Sequence, residues 1–529
     1  MIQKQNDDSL YQLLLAIQER AEFNHKVDQF KIVETHISYI LLTGSYAYKF
    51  KKSLDLGFLD FRTLEKRKYY CKEEIRLNKR LAPDLYIEVV TFTGDIEKPV
   101  LNGDGPVLEY AVKMEQFAEA DQALYLLRDG RLTEQHIDQL ARLLADFHNN
   151  VAVADRNSEY GSSESVLRDA VENFNALRPL ISEDGDYDKV LGELQSWTKN
   201  SYGELKRIFN ERKQHGYIRE CHGDLHLGNI VLHRNAMLVF DCIEFSPSLR
   251  WIDVMNDLAF LLMDLHEHRQ PVFAQRLLNN YLQLSGDYEG LYVLRFYLVY
   301  RALVRSKVAA IRLGQSHLDQ GDAEKEIGNE HRYLELAREF TRTATPALLI
   351  THGLSGSGKS MYSRVIADKT AAIWIRSDTE RKRLHGLTSE ERSHSGLQSG
   401  IYSPESTVKT FRRLAGLSRM ILKAGYSVIV DAAFLQMHTR KTFQKIAGEF
   451  NAALIILDFQ ADEATLRIRI AQRNQQAHDV SEADSKVLDY QLGYQEPLDE
   501  QENKLSIKLE TGSRIKLDTV IAAISRRVK

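Results

Sequence analysis

The chain has 529 residues, of which 43% are hydrophobic and 27% charged, and its formal net charge is −4. This length exceeds the size at which a single hydrophobic core keeps growing, so we expect two or three domains. The composition is that of a soluble globular protein and excludes collagen-like, fibrous and disordered classes. From Lys, Arg, Asp and Glu alone, residues 346–529 carry roughly +6 and the remainder about −10. This weak, scattered balance suits an anionic nucleotide but disfavours a nucleic-acid groove.

The N-terminus and the cysteines predict a cytoplasmic protein without a membrane partner. The first residues lack the basic-then-apolar pattern of a signal peptide. The most apolar stretches, such as Leu258–Leu265, are too short to cross a bilayer, and this one contains Asp264. Three cysteines, Cys71, Cys221 and Cys242, cannot build a disulfide framework and show no metal-ligand spacing.

In the first third, apolar alternation predicts short strands around one charged amphipathic helix. The predicted strands are Ile37–Leu42, Ala47–Lys52, Ile87–Phe92 and Val107–Met114, and the helix is Leu64–Leu81. From about residue 116 the period becomes helical, as in Gln135–Asn150 and Leu291–Leu313, with a strand–loop–strand interruption at Tyr217–Phe245.

Beyond the polar junction Thr341–Pro346, short apolar strands alternate with helices, which predicts an α/β parallel sheet. The predicted strands are Ala347–His352, Ala371–Ile375, Ser427–Val430 and Ala453–Phe459.

The segment Gly353–Ser360 fits all eight positions of the phosphate-loop pattern, between a strand and a helix-compatible segment. Glycines let backbone N–H groups surround phosphate oxygens. Lys359 would meet the β- and γ-phosphates, and the Ser360 hydroxyl would ligate Mg²⁺. The predicted nucleotide-binding residues here are Gly353, Ser355, Gly356, Ser357, Gly358, Lys359 and Ser360. A ligand-free Gly/Ser-rich turn is the alternative, and the strand, spacing and Lys-Ser pair disfavour it.

Asp378 and Arg381 follow the second strand of this half, at the strand end where open α/β sheets bind ligands. Asp378 would accept a proton from a substrate hydroxyl, and Arg381 would stabilise the transferring phosphoryl group. A helix N-cap followed by a solvated basic turn explains the same residues equally well, so position alone leaves both interpretations open.

Asp431 ends the third strand and is typical of a Walker B acid that holds the Mg²⁺ shell; strand-end capping is the alternative. Arg469 and Arg473 lie one turn apart on a predicted helix and would close over the nucleotide as a lid. For the neighbouring Arg467 we favour a salt-bridged surface position.

These motifs resemble the small P-loop kinases, with polynucleotide 5′-hydroxyl kinases and gluconate-type kinases nearest, over about residues 346–500. The resemblance implies phosphoryl transfer from ATP to a hydroxyl acceptor.

The segment His222–Asn229 has the His-x-Asp-x-x-x-x-Asn spacing of the catalytic loop in protein-kinase-like folds. Asp224 would be the catalytic base, and Asn229 and Asp241 would hold the metal ion. His222, Asp224 and His226 lie at alternate positions and would also fit a metal site. We disfavour this alternative because the other residues of a kinase-like site occur along the chain in the expected order.

Upstream, Ala47-Tyr48-Lys49 matches the strand whose lysine binds nucleotide phosphates, with Lys51 on the same strand face as the second choice. Glu74, or else Glu73, is the predicted ion-pair partner. No Gly-x-Gly-x-x-Gly loop precedes Lys49; Thr35–Ser38 stands in its place.

Over nearly its whole length the chain resembles bacterial fusions of an aminoglycoside-phosphotransferase-like domain with a P-loop ATP-binding domain. The resemblance implies an α/β and α+β multidomain fold. Residues 1–340 would form a protein-kinase-like bilobal domain, with an N-lobe over about 1–115 and a helical C-lobe over about 116–340. Residues 346–529 would form the P-loop domain, and ATP and Mg²⁺ are the implied cofactors.

We therefore expect a bifunctional ATP-dependent phosphotransferase acting on a hydroxyl of a small molecule. A polynucleotide 5′-hydroxyl kinase, disfavoured by the weak basic charge, and a regulatory ATP-binding switch with one inactive half are the alternatives.

Overall fold

A computed structural model describes residues 2–57, 59–180, 185–313, 320–393, 395–396, 398–476, 485–513 and 515–528. The chain forms two compact units, Met1–Ala170 with Lys206–Asp264 and Val171–Leu205 with Leu265–Lys529. None of the helices in the described ranges is both long and apolar enough to span a membrane.

The first unit begins with a six-stranded antiparallel sheet in the order β1-β2-β3-β6-β4-β5. The elements to the end of this sheet are α1 Ile2–Arg20, β1 Lys31–Glu34, β2 Ser38–Leu42, β3 Tyr46–Lys51, α2 Leu64–Asn78, β4 Tyr86–Asp95, β5 Lys98–Leu101 and β6 Val107–Glu115. Apolar residues of α1, including Leu14 and Ile17, pack with Tyr48, Phe50 and Phe92 of the sheet. The predicted strands and helix are present with ends shifted by a few residues, whereas α1, β1 and β5 were not predicted.

The elements that follow are mainly helical. They are α3 Ala123–Arg128, α4 Glu134–Asn150, α5 Ser163–Leu177, α6 Gly185–Gln214, β7 Ile218–Glu220, β8 Ile230–His233, β9 Ala236–Val239, α7 Pro247–Arg250, β10 Trp251–Asp253 and α8 Val254–Glu267. Two short antiparallel pairs, β7–β10 and β8–β9, flank the loop that contains Asp224.

The second unit is built on a five-stranded parallel sheet in the order β12-β13-β11-β14-β15. Its elements are α9 Pro271–Ser285, α10 Leu291–Leu313, α11 Gln320–Thr341, β11 Ala347–His352, α12 Lys359–Thr370, β12 Ile373–Arg376, α13 Ser377–Leu384, α14 Pro404–Lys423, β13 Val428–Asp431, α15 Met437–Glu449, β14 Ala453–Gln460, α16 Glu463–Gln476, α17 Ser485–Tyr494, α18 Glu500–Leu505, β15 Ser506–Glu510 and α19 Leu517–Val528. The four predicted strands are present, and β15 is an additional one. The predicted mixed fold class is thereby confirmed.

Helix α9 is hydrogen-bonded to the edge of this parallel sheet. Gln275 and Asn279 donate to the Ala372 carbonyl at 3.0 and 3.1 Å, and Asn279 Oδ1 accepts from the Trp374 N–H at 2.9 Å. Helices from before residue 340 thus share a compact unit with the sheet. The domain ranges 1–340 and 346–529 stay a prediction.

Candidate phosphotransfer sites

The loop that contains Asp224 is held in place by a buried carboxylate on α8. Asp257 accepts hydrogen bonds from the N–H groups of His222 and Gly223, at 3.0 and 2.8 Å, and lies 3.1 Å from His148 Nε2. Burial opposes ionisation of Asp257, but the hydrogen bond from His148 and the nearby donors lower its pKa to about 2. Asp257 therefore anchors this loop as an anion.

Asn229 reaches back across the same loop to Asp224. Its Nδ2 donates to the backbone carbonyl and to Oδ2 of Asp224, both at 3.0 Å. His222 Nε2 lies 2.9 Å from the carbonyl oxygen of Phe240, so the imidazole ties the loop to the end of β9 beside Asp241. Because that nitrogen is engaged with a carbonyl, the geometry does not favour the metal-only alternative for His222.

Lys49 on β3 lies between two carboxylates. Its Nζ is 2.8 Å from Glu74 Oε1 on α2 and 2.5 Å from Asp241 Oδ1. Burial opposes the charged form of Lys49, but Asp241 and Glu74 raise its pKa well above the ordinary value. The ammonium is therefore charged at neutral pH, and the Asp241 side chain is 44% exposed, which leaves the carboxylate accessible to a metal ion.

Lys51, the second choice, also contacts Glu74, at 2.6 Å, and pairs with Glu244 three residues after Asp241. Both lysines therefore share one buried glutamate. Glu73 instead pairs with Arg76 at 2.9 Å.

The turn Thr35–Ser38, which precedes Lys49, contains no glycine and is closed by hydrogen bonds between its own residues. The Thr35 N–H donates to the Ser38 carbonyl at 2.9 Å, and the Ser38 N–H donates to Thr35 Oγ1 at 3.0 Å. These bonds use backbone donors that a glycine-rich loop would offer to phosphate.

The phosphate loop follows β11 in the second unit and leads into α12. Gly356 has φ +83°, and a Cβ there would lie 2.8 Å from the Leu466 carbonyl oxygen, so only glycine fits. Lys359 Nζ donates to the carbonyls of Gly353 and Leu354 at 2.8 and 2.7 Å. The Lys359 side chain thus lies along the phosphate loop, and together they would surround the phosphates of a nucleotide.

One cleft of about 430 Å³ brings most of the predicted residues of this half together. Its lining includes the predicted residues Ser355, Gly356, Gly358, Lys359, Ser360, Asp378, Arg381, Asp431 and Arg469. The Ser357 side chain is instead buried, with 1% of the residue exposed. Arg473 lies on α16, but its side chain is outside the described residues.

Asp431 is buried at the end of β13, close to Ser360. Burial raises its pKa, while Arg376, a hydrogen bond from Ser360 and Lys359 oppose the rise. Its Oδ2 is fully buried and lies 3.9 Å from Arg376 Nε, but it accepts no hydrogen bond from the described residues. A carboxylate oxygen without a donor beside a serine hydroxyl is the oxygen-rich donor set that Mg²⁺ prefers, so these residues fit that cation.

Asp378 lies in the first turn of α13, whose N-cap residue is Arg376, and no side chain caps this helix. Arg381 is buried and donates through Nη1 to the Ile401 carbonyl at 3.1 Å and to Thr407 Oγ1 at 3.2 Å. The alternative of an N-cap followed by a solvated basic turn therefore does not describe this segment.

Arg469 and Arg467 diverge on α16. Arg469 donates to the Gly356 carbonyl at 3.4 Å and to the Thr511 carbonyl at 2.5 Å, which places it against the phosphate loop. Arg467 forms surface ion pairs with Glu463 and Asp489 at 2.7 and 2.5 Å. Arg467 thus has the surface position favoured from the sequence.

Gln491 on α17 also lines the cleft and was missed in the sequence. Its Oε1 accepts a hydrogen bond from the Ser355 N–H at 2.8 Å. A single glutamine in a short helix carries no motif, so no local pattern could have identified it.

Family models match both halves of the chain. Residues 118–294 match the phosphotransferase enzyme family, and residues 348–498 match an AAA domain. The chain thus contains kinase-type phosphotransferase domains. One match is to a phosphotransferase-family domain and the other to a P-loop domain, so the resemblance drawn from the sequence is confirmed.

Relatives and solved structures extend the comparison. An uncharacterized protein of Mycobacterium tuberculosis (strain ATCC 25618 / H37Rv) is 28% identical over 443 residues, which cover 83% of this chain and 85% of the relative. An amicoumacin kinase in complex with AMP-PNP, Ca²⁺ and Ami is 14% identical, with 63% of this chain and 95% of that chain covered and a TM-score of 0.38. A gluconokinase from Sinorhizobium meliloti is 19% identical, with 35% and 90% covered and a TM-score of 0.24.

Proposed function

We propose that this protein is a bifunctional, cytoplasmic phosphotransferase that moves the γ-phosphoryl group of ATP to a hydroxyl of a small molecule, with one ATP site in each half. The observation that carries the proposal is the cleft that joins Lys359 and Ser360 of the phosphate loop to Asp378 and Asp431. Transfer to an alcohol needs a base for the acceptor hydroxyl, and Asp378 supplies a carboxylate in the same cleft as the phosphate loop.

In the P-loop cleft, Lys359 and the loop N–H groups bind the phosphates, and Asp378 accepts the proton of the acceptor hydroxyl. The acceptor oxygen then bonds to the γ-phosphorus as the bond to the β-phosphate oxygen breaks, and ADP leaves. Arg381 and Arg469 stabilise charge on the phosphoryl oxygens. Ser360 and Asp431 would hold Mg²⁺, which neutralises phosphate charge when bound.

In the N-terminal half, Asp224 is the proposed base, because Asn229 fixes its backbone and carboxylate while its side chain remains 38% exposed. Lys49, oriented by Glu74, binds nucleotide phosphates. Asn229 and Asp241 would hold the metal ion. Three buried free cysteines support the reducing, cytoplasmic setting in this proposal.

The test is transfer of label from γ-labelled ATP and Mg²⁺ into a small-molecule cell extract or, separately, 5′-hydroxyl oligonucleotides. The proposal expects labelled small molecules and unlabelled oligonucleotides. Labelled oligonucleotides would favour the polynucleotide-kinase alternative. ATP binding without transfer to either acceptor would favour the regulatory switch.

A further inference from the structure

Gln491 is a buried polar residue that contacts the phosphate loop directly. Its side-chain oxygen accepts a hydrogen bond from the Ser355 N–H at 2.8 Å, and the residue is 8% exposed. It lines the same cleft as Lys359 and Asp378. A glutamine at this position can bond the loop and face the reacting groups with the same amide.

The contact with Ser355 determines which end of the amide is oxygen. If the amide were turned over, its NH₂ group would face the N–H of Ser355, and two donors would oppose each other. Oε1 therefore faces the loop and Nε2 is the remaining donor. Nε2 forms no hydrogen bond with any residue that the structure describes.

Helix α17, which positions this amide, is itself fixed at two points. Leu488 packs with Leu466 and Ile470 of α16, and Leu354 of the phosphate loop packs against this cluster. Just beyond the helix, the N–H of Glu496 donates to the Leu435 carbonyl at 2.9 Å. The amide of Gln491 is thus held by packing and hydrogen bonding rather than carried on a loose surface helix.

The position of Lys359 indicates which phosphate lies near this amide. Its ammonium, which in phosphate loops meets the β- and γ-phosphates, lies against the carbonyls of Gly353 and Leu354, immediately before Ser355. The N–H groups at the start of α12 take the inner phosphates. The outermost phosphate of a bound nucleotide would therefore lie beside the part of the loop that Gln491 contacts.

We propose that Gln491 donates a hydrogen bond from Nε2 to the γ-phosphoryl group of the nucleotide in the P-loop cleft. The inference rests on the proposed function of this cleft and adds a neutral donor to its cationic groups. Because ADP lacks the γ-phosphoryl group, such a donor favours ATP over ADP and helps to orient the γ-phosphoryl group for attack by the acceptor hydroxyl that Asp378 deprotonates.

The test compares binding of ATPγS and ADP to the full chain and its variants in the presence of Mg²⁺. The P-loop contribution is the part of the binding that Lys359→Ala abolishes. Gln491→Met should lower ATPγS affinity about tenfold, the scale of one hydrogen bond to a charged group, and leave ADP affinity within about twofold. Gln491→Glu keeps an acceptor for Ser355 but loses the donor, so its ATPγS affinity should fall at least as far.

Gln495→Met and Gln495→Glu are the matched controls, since Gln495 lies just past α17, is partly exposed and is outside the cleft lining. Both controls should bind the two nucleotides like the unaltered chain. Equal losses of ATPγS and ADP in Gln491→Met would overturn the inference, because that pattern indicates a structural role. Unchanged binding in Gln491→Glu would overturn it too, and either result would leave the proposed function standing. Absence of any Lys359-dependent binding in the unaltered chain would overturn both proposals.

Discussion

The ammonium of Lys49 and the carboxylate of Asp241 lie 2.5 Å apart, although 192 residues separate them in the sequence. Lys49 is near the end of β3, and Asp241 follows β9 with a left-handed backbone, φ +65°. Their contact brings the candidate phosphate-binding lysine to the candidate metal-binding aspartate. The N-terminal half thus has the polar arrangement that a nucleotide–metal complex requires.

Because Lys51 and Glu244 form a buried ion pair, we predict that removal of one partner strongly lowers the free energy of unfolding. Lys51 is 0% exposed, and Lys51→Met would leave Glu244 buried without its ion-pair partner. Removing one partner of such a pair costs about 3–5 kcal/mol, so the urea midpoint of the N-terminal unit should fall clearly. Since burial already raises the pKa of Glu244, its unpaired carboxyl should take up a proton more readily and the loss should shrink as the pH falls.

The control for that prediction is the same substitution in an exposed ion pair. Lys66 pairs with Asp60 at the surface, so Lys66→Met should leave the midpoint nearly unchanged. A Lys51→Met midpoint equal to that of Lys66→Met would contradict the assignment of Lys51 and Glu244 as a structural pair.

The lowered pKa of Asp257 predicts the pH range in which this residue stabilises the folded chain. Because its pKa is lowered to about 2 in the folded chain, its contribution to stability is present above the ordinary carboxyl pKa of about 4. That contribution is lost as the pH falls through the folded value. Asp257→Asn should therefore lower the free energy of unfolding at pH 7, and the difference from the unaltered chain should shrink between about pH 4 and pH 2. A difference that does not vary with pH in this range would contradict the charged anchor.

The backbone conformation and close packing of Gly356 predict that one added methyl group disturbs the phosphate loop. Gly356→Ala adds a Cβ 2.8 Å from the Leu466 carbonyl oxygen at φ +83°, with strain of roughly 1–3 kcal/mol. ATP affinity of the P-loop cleft should fall, as measured by titration. Gly416→Ala in α14 is the control, because a Cβ there meets nothing within 4 Å and alanine favours a helix. Equal ATP affinity in the two variants would refute the steric argument.

Local patterns predicted the parts of the fold that depend on neighbours in sequence. A short apolar run predicted β11 from Ala347 to His352 with its bounds, because a central parallel strand is buried on both faces. The phosphate loop was predictable for the same reason, since eight consecutive residues carry it.

Contacts between distant segments could not be predicted in this way. Gln491 meets Ser355 across 136 residues, and neither residue type indicates the other. The sharing of Glu74 by Lys49 and Lys51 likewise depends on how α2 packs against β3, which the alternation along β3 alone leaves open. The sequence of β3 indicated two candidate lysines, and the structure shows that both form an ion pair with Glu74.

The most direct test of two separate phosphotransfer sites is label transfer from γ-labelled ATP into a small-molecule extract. It compares the unaltered chain with Asp224→Asn, Lys359→Ala and the double variant, and uses the exposed-site controls Asp104→Asn and Lys445→Ala. Two independent sites predict that each single variant retains transfer, that the double variant loses it, and that both controls match the unaltered chain. Complete loss in either single variant, or full transfer by the double variant, would contradict the account.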